Sequence, residues 1–130
     1  MRRWTLSPAD GVPAPIAPYA HATSACGVLC VTGQMPIDPA TGQVVEGGIG
    51  AQTDQVMRNL CAVLDACGAR LSDVLHARAY LLSMEDFGRF NAAYEPWFEG
   101  RLPARTCVAV SGLALGALVE VDLLVAAGTA

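Results

Sequence analysis

Residues 103 to 122 read PARTCVAVSGLALGALVEVD, and the way this stretch divides decides the fold. Almost every residue in it is small or apolar, so it reads as two buried strands, Arg105 to Val110 and Leu118 to Ala126. Joined by SGLALGA and paired antiparallel, they would form a buried hairpin. Side chains alternate along a strand. Arg105, Cys107 and Ala109 therefore share one face, and Leu118, Glu120, Asp122 and Leu124 share another, opposite Val119, Val121, Leu123 and Val125. Charged groups are rare in such company unless they pair or meet a ligand, so Arg105 and Glu120 stand out.

Upstream, the pattern changes to helical spacing. Ile49, Val56, Met57, Leu60, Val63, Leu64 and Cys67 recur at helix period, which predicts a helix from Ile49 to Cys67 with Gly68 at its C-terminal cap. Val74 to Leu82 reads as a strand. Ser83 followed by Asp86 resembles a capping box, opening a second helix over Met84 to Phe98 with the stripe Phe87, Phe90, Tyr94, Trp97 and Phe98. Toward the N-terminus, two strands fit between Tyr19 and Thr32, interrupted near Ser24 to Gly27. A further short strand fits at Trp4 to Leu6, and GQMPIDPATGQ has loop chemistry. The order β–β–β–α–β–α–β–β predicts an α+β fold, two helices covering one face of a mostly antiparallel sheet, as a single domain over residues 1–130.

The composition sets limits on function. With 130 residues, 53% hydrophobic and 15% charged, the chain is too apolar for disorder. It is also apolar enough that the uncovered sheet face should be apolar and meet a partner subunit. The net charge of −4 and the lack of any basic cluster beyond Arg2-Arg3 argue against nucleic acid. Five cysteines, an odd number with no CxxC, point to reduced thiols rather than a disulfide framework or zinc site. No apolar run approaches the roughly 18 residues of a membrane helix. The reading is a soluble, cytoplasmic protein.

For Arg105 and Glu120 two readings stand. They form a partly buried ion pair, or Arg105 holds an anion through its planar fork while Glu120 orients or deprotonates a water. Spacing alone favours the ion pair. Asn91 lies within the aromatic stripe and reads as a core amide bonded to backbone. Tyr19 reads as a half-buried tyrosine opening a strand, and Thr32 before Gly33 as turn chemistry. His21 and His76 have no partner at a recognisable spacing, and no motif for a catalytic triad, a phosphate loop or a metalloprotease is present.

PARTC with ALVEVD, APY at Ala17 to Tyr19, VTGQMPIDPATGQV at Val31 to Val44 and FNAAYEPWF at Phe90 to Phe98 together resemble the RidA/YjgF family of enamine/imine deaminases. That family is also labelled endoribonuclease L-PSP or translation inhibitor. The resemblance runs from about Pro15 to Ala126. It implies a chorismate-mutase-like homotrimer whose sheets form a central barrel, with clefts between subunits. It also implies hydrolysis of 2-imino or 2-enamino acids, such as 2-aminoacrylate and its imine, to 2-oxo acids and ammonia without a cofactor. Carried over position by position, Arg105 would anchor the substrate carboxylate and Glu120 would hold the attacking water. Tyr19, Thr32 and Asn91 would line the cleft, and the backbone at Cys107 would fix substrate or water. With the resemblance, the ligand reading of Arg105 and Glu120 overtakes the ion pair.

Thr32 stands where many relatives carry Ser, Ala20-His21 replaces a commoner pair and places His21 at the cleft mouth, and SGLALGA lacks the usual charges. These departures bear on substrate preference. A deaminase of a larger acid such as 2-aminomuconate, a ribonuclease-type translation inhibitor and a non-enzymatic ligand-binding trimer are the alternatives.

Overall fold

A computed structural model describes residues 1–127 of the chain. Its main sheet has six strands: β1 (Arg2–Trp4), β2 (Ala22–Ala25), β3 (Val28–Gln34), β6 (Val74–Leu81), β7 (Ala104–Ala109) and β8 (Val119–Ala126). Between β3 and the first helix lies a small ribbon of β4 (Ile37–Asp38) and β5 (Gln43–Val44). The helices are α1 (Gly48–Ala66) and α2 (Phe87–Tyr94). The fold is α+β, as expected.

Local chemistry explains most boundaries. Gly68, at φ +74°, follows the end of α1 as the cap reading required. The β2–β3 turn is made by Cys26 and Gly27, both at positive φ, the backbone a two-residue hairpin loop needs. The N-terminal strand ends where it was expected to begin, because the register Arg2↔Ser24 to Trp4↔Ala22 carries β1 only to Trp4. The predicted helix over Met84 to Phe98 is three pieces: a 3-10 turn at Met84–Asp86, α2, and a second 3-10 turn at Glu95–Phe98 containing Pro96. Proline's missing N–H and fixed φ account for the change at that point. Ser83 caps by accepting from the Glu85 N–H at 3.1 Å, while the Asp86 carboxylate pairs with Arg89 rather than closing a capping box.

The strand order is β1-β2-β3-β8-β6-β7. It overturns the hairpin. β7 and β8 are not neighbours: β8 passes beyond β6 to sit antiparallel between β3 and β6, and β7 pairs parallel to β6 at the sheet edge. A parallel pair needs a crossover, and α2 supplies it. The burial patterns give the physical reason. Every second residue of β8 from Val119 to Val125 is buried, as suits a central strand, whereas no residue of β7 is fully buried.

The helices cover one face. Val56, Met57, Leu60 and Val63 of α1 and Phe90 of α2 pack there with Ala77, Leu81, Val121 and Leu123 of the sheet, all nearly or fully inaccessible. The other face is open but not apolar throughout, contrary to expectation. Beside Cys30 and Leu124 it carries a polar cluster: Arg78 Nε donates to Asp122 Oδ1 at 2.7 Å, and the Tyr80 hydroxyl donates to Asp122 Oδ2 at 2.8 Å.

Candidate active site

The register places Arg105 and Glu120 on opposite faces. Arg105 pairs with Ala77, and Ala77 with Leu123, so Arg105 faces the helices. Glu120 pairs with Tyr80 and faces the open side. An Arg105–Glu120 ion pair within one chain does not form.

Arg105 instead lies over α2. Its guanidinium carbon stands 5.7 Å from the Phe87 ring, 5.6 Å from Phe90 and 5.1 Å from Tyr94. Stacked on three ring faces, the guanidinium is held in place without spending its donors. Among the described residues it has no ion-pair partner. Beside it is a cleft of about 360 Å³ lined by Asn91, Tyr94, Glu95, Leu102, Pro103 and Arg105. Asn91 therefore joins Arg105, and the core-amide reading fails: its buried Oδ1 has no hydrogen-bond partner among the described residues. The Tyr94 hydroxyl is likewise buried and unpartnered. Burial pushes that phenol up to about 12, with Arg105 acting weakly the other way. Tyr94 was read as part of the stripe alone; a hydroxyl in the turn after Asn91 was the signal that it also meets the arginine.

Cys107 shares the face of Arg105, pairing with Ala79. Burial raises its thiol pKa more than the Arg105 charge lowers it, so the sulfur stays protonated at neutral pH and is a poor nucleophile.

The remaining predicted residues gather elsewhere. β3 and β8 lose register between Val31 and Gln34, and Glu120 lies over the backbone of Gly33 in that break. A Cβ at Gly33 would collide with Glu120 Oε2 and stand 2.8 Å from its Cδ, so only glycine lets the carboxylate settle there. Burial, and then the negative charge of Asp122, hold the Glu120 carboxyl above its ordinary range. Thr32 precedes Gly33, and its hydroxyl donates to the Ala20 carbonyl at 2.6 Å, fixing the segment that carries Tyr19. Tyr19 lies in a loop rather than opening a strand, and its hydroxyl accepts from the Ile16 N–H at 3.2 Å.

His21 does not lie at the cleft mouth. It is 1% exposed; Nδ1 accepts from the Leu6 N–H and Nε2 donates to the Pro13 carbonyl, both at 2.9 Å. It ties the N-terminal loop to the sheet. A larger groove of about 420 Å³ between the end of α1 and residues 97–101 contains none of the predicted residues and mixes Arg70 and Arg101 with Asp65 and Glu99.

Comparison with known proteins bears on this geometry. The family model for endoribonuclease L-PSP matches residues 10–127, a span that includes both groups of residues. The chain belongs to the RidA/YjgF (L-PSP) family. A RutC family protein of Pyrococcus horikoshii is 42% identical over 115 residues, covering 88% of this chain and 91% of that one. A 2-iminobutanoate/2-iminopropanoate deaminase of mouse is 35% identical over 116 residues, covering 89% and 86%. Among solved structures, RidA from an Antarctic Psychrobacter superposes with a TM-score of 0.89 at 30% identity, covering 96% of this chain and 99% of that one. The L-PSP fold in these relatives is the α+β arrangement described above, and no helix among the described residues is long and apolar enough to cross a membrane.

Proposed function

We propose that this L-PSP family chain is a cofactor-independent imine deaminase, hydrolysing small 2-imino acids of the 2-iminobutanoate and 2-iminopropanoate type, derived from enamines such as 2-aminoacrylate, to 2-oxo acids and ammonia. The observation that carries the reading is Arg105, a guanidinium without an ion-pair partner among the described residues, held over three rings at the wall of a cleft. Its fork suits a carboxylate. The name borne by the mouse relative supports the substrate class.

In this reading the protein is a cytoplasmic homotrimer with its sites between neighbouring copies; that the two halves of the site face opposite ways in one chain supports a shared site. One copy brings Arg105, Asn91 and the backbone at Cys107; the next brings Glu120, Thr32 and Tyr19. Arg105 holds the carboxylate. Glu120, as carboxylate, accepts a proton from water as the oxygen bonds to the imine carbon and the C=N electron pair moves to nitrogen, and that proton is then returned to the nitrogen, which regenerates the carboxylate. Collapse of the resulting carbinolamine breaks the C–N bond and releases ammonia and the 2-oxo acid. The imine carbon is already electrophilic, so placement of water and substrate supplies most of what is needed.

The test is an assay in which an amino-acid oxidase generates the imino acid in situ. Faster conversion to the 2-oxo acid with the protein than without it is the expected result; an unchanged rate overturns the proposal. A series of imino acids of increasing size, extended to 2-aminomuconate, places the preference.

A further inference from the structure

Glu120 rests over Gly33 at the one place where β3 and β8 do not hold each other: the ladder jumps from Val31↔Leu123 to Gln34↔Val121. Something else must set that spacing. β3 ends at Gln34 and β8 begins at Val119, and the segments flanking these two strand ends are both bonded to buried side chains of α1. Gln52 Oε1 accepts from the Leu118 N–H at 2.8 Å. Asn59 Nδ2 donates to the Met35 carbonyl at 3.0 Å and the Ile37 carbonyl at 2.9 Å. Gln55 Nε2 donates to Asn59 Oδ1 at 2.9 Å and orients that amide. Residues 52, 55 and 59 share one helix face, and all three are buried.

Buried amides on a core helix are costly unless they are bonded. Here their bonds reach the residue two before Glu120 and the residues two and four after Gly33. We propose that Gln52 and Asn59 are positioning residues for the reaction, setting the distance from the Glu120 carboxylate to the Gly33 backbone and so the place of the attacking water. This rests on the reading of Glu120 as the residue that holds water. It makes α1 the ruler of the Glu120 half of the site, while the Arg105 half is set by α2 and β7.

The separation of the two halves supplies the test. Gln52→Met removes the acceptor for Leu118 at nearly constant volume. Misplacement by about 1 Å can cost on the order of 10²-fold in rate, so kcat should fall about 10- to 100-fold while KM stays within about twofold. Gln52→Glu keeps an accepting oxygen in either protonation state and should restore most of kcat. Asn59→Asp, which keeps the acceptor for Gln55 but loses the donor to both carbonyls, should show the same kcat-selective loss and serves if Gln52→Met does not fold. Val63→Ala, a truncation in the same helix and core, should lose stability and keep kcat. Equal kcat losses in Val63→Ala and Gln52→Met, a KM rise matching the kcat loss, or an unaffected kcat would overturn the proposal. If the wild-type protein does not hydrolyse the imine, the deaminase reading fails by itself. Positioning is then read from the carboxyl carbon resonance of Glu120, whose titration midpoint should move in Gln52→Met and return in Gln52→Glu; an unmoved midpoint overturns it.

Discussion

Glu120 and Arg105 do opposite things with their surroundings. Arg105 is held by aromatic faces that leave its donors free. Lysine there would keep the charge and lose both the fork and the stacking. Arg105→Lys should therefore weaken carboxylate binding by about 1–3 kcal/mol, seen as a rise in KM of roughly 5- to 150-fold; a KM near that of wild type would make the arginine structural. Glu120 has its carboxyl raised above the ordinary 4.5 by burial and by Asp122. It must be ionised to accept a proton, so kcat/KM should fall as pH falls through a midpoint above that value. Asp122→Asn removes the neighbouring charge and should shift this acidic limb to lower pH; a pH–rate profile with an unmoved limb would remove Asp122 from the tuning. The same raised pKa means that the folded state disfavours the charged form. Its contribution to stability is full below the unfolded value and lost as pH rises through the folded one. Glu120→Gln should then lower kcat by about 10²-fold yet raise Tm at neutral pH, with the Tm difference closing in acid. Loss of Tm together with kcat would indicate a structural carboxylate.

Among the elements, the N-terminal loop shows how far a residue can be from the role its position suggests. His21 immediately precedes β2, its ring near that of Tyr19, and that ring is spent on the backbone of Leu6 and Pro13. His21→Leu would fit the space and strand the part-buried Leu6 N–H and the buried Pro13 carbonyl, so unfolding free energy should drop by on the order of 2–4 kcal/mol, measured from the denaturant midpoint at constant m. A change below about 0.5 kcal/mol would mean the loop resolvates freely. α2 illustrates the converse. Its stripe was legible as a core face, and Phe90 and Tyr94 are buried; the face toward the β7 edge doubles as the platform for Arg105. Periodicity reports that a face is apolar, and not what stands against it.

At the scale of the whole molecule, opposite faces for Arg105 and Glu120 make a sharp demand on the assembly. If each complete site takes its arginine from one copy and its glutamate from the next, Arg105→Ala and Glu120→Gln proteins each keep only a small residual activity alone, about 1% for Glu120→Gln. Mixed one to one through unfolding and refolding, they should recover about one quarter of wild-type activity, since one site in four then draws an intact residue from each side. Sites built within one chain would recover nothing. That outcome, or a monomer mass by light scattering at micromolar concentration, would overturn the shared site.

Much of this was written locally. The helical spacing of Ile49 to Leu64 and Gly68 define α1; the alternation from Val119 to Val125 defines β8; and the motifs around Arg105, Glu120, Asn91 and Thr32 mark the family. A period of two says which residues share a face of their own strand. It does not say which strand lies alongside, nor in which direction. Adjacent, apolar and joined by a short connection, β7 and β8 had every local mark of a hairpin. Placing β8 between β3 and β6 gives it a paired neighbour on both edges and leaves the more exposed β7 at the rim. That choice belongs to the packing of distant segments, and it set Arg105 and Glu120 on opposite faces; tertiary packing elsewhere buried His21 and brought the amides of α1 to Leu118, Met35 and Ile37.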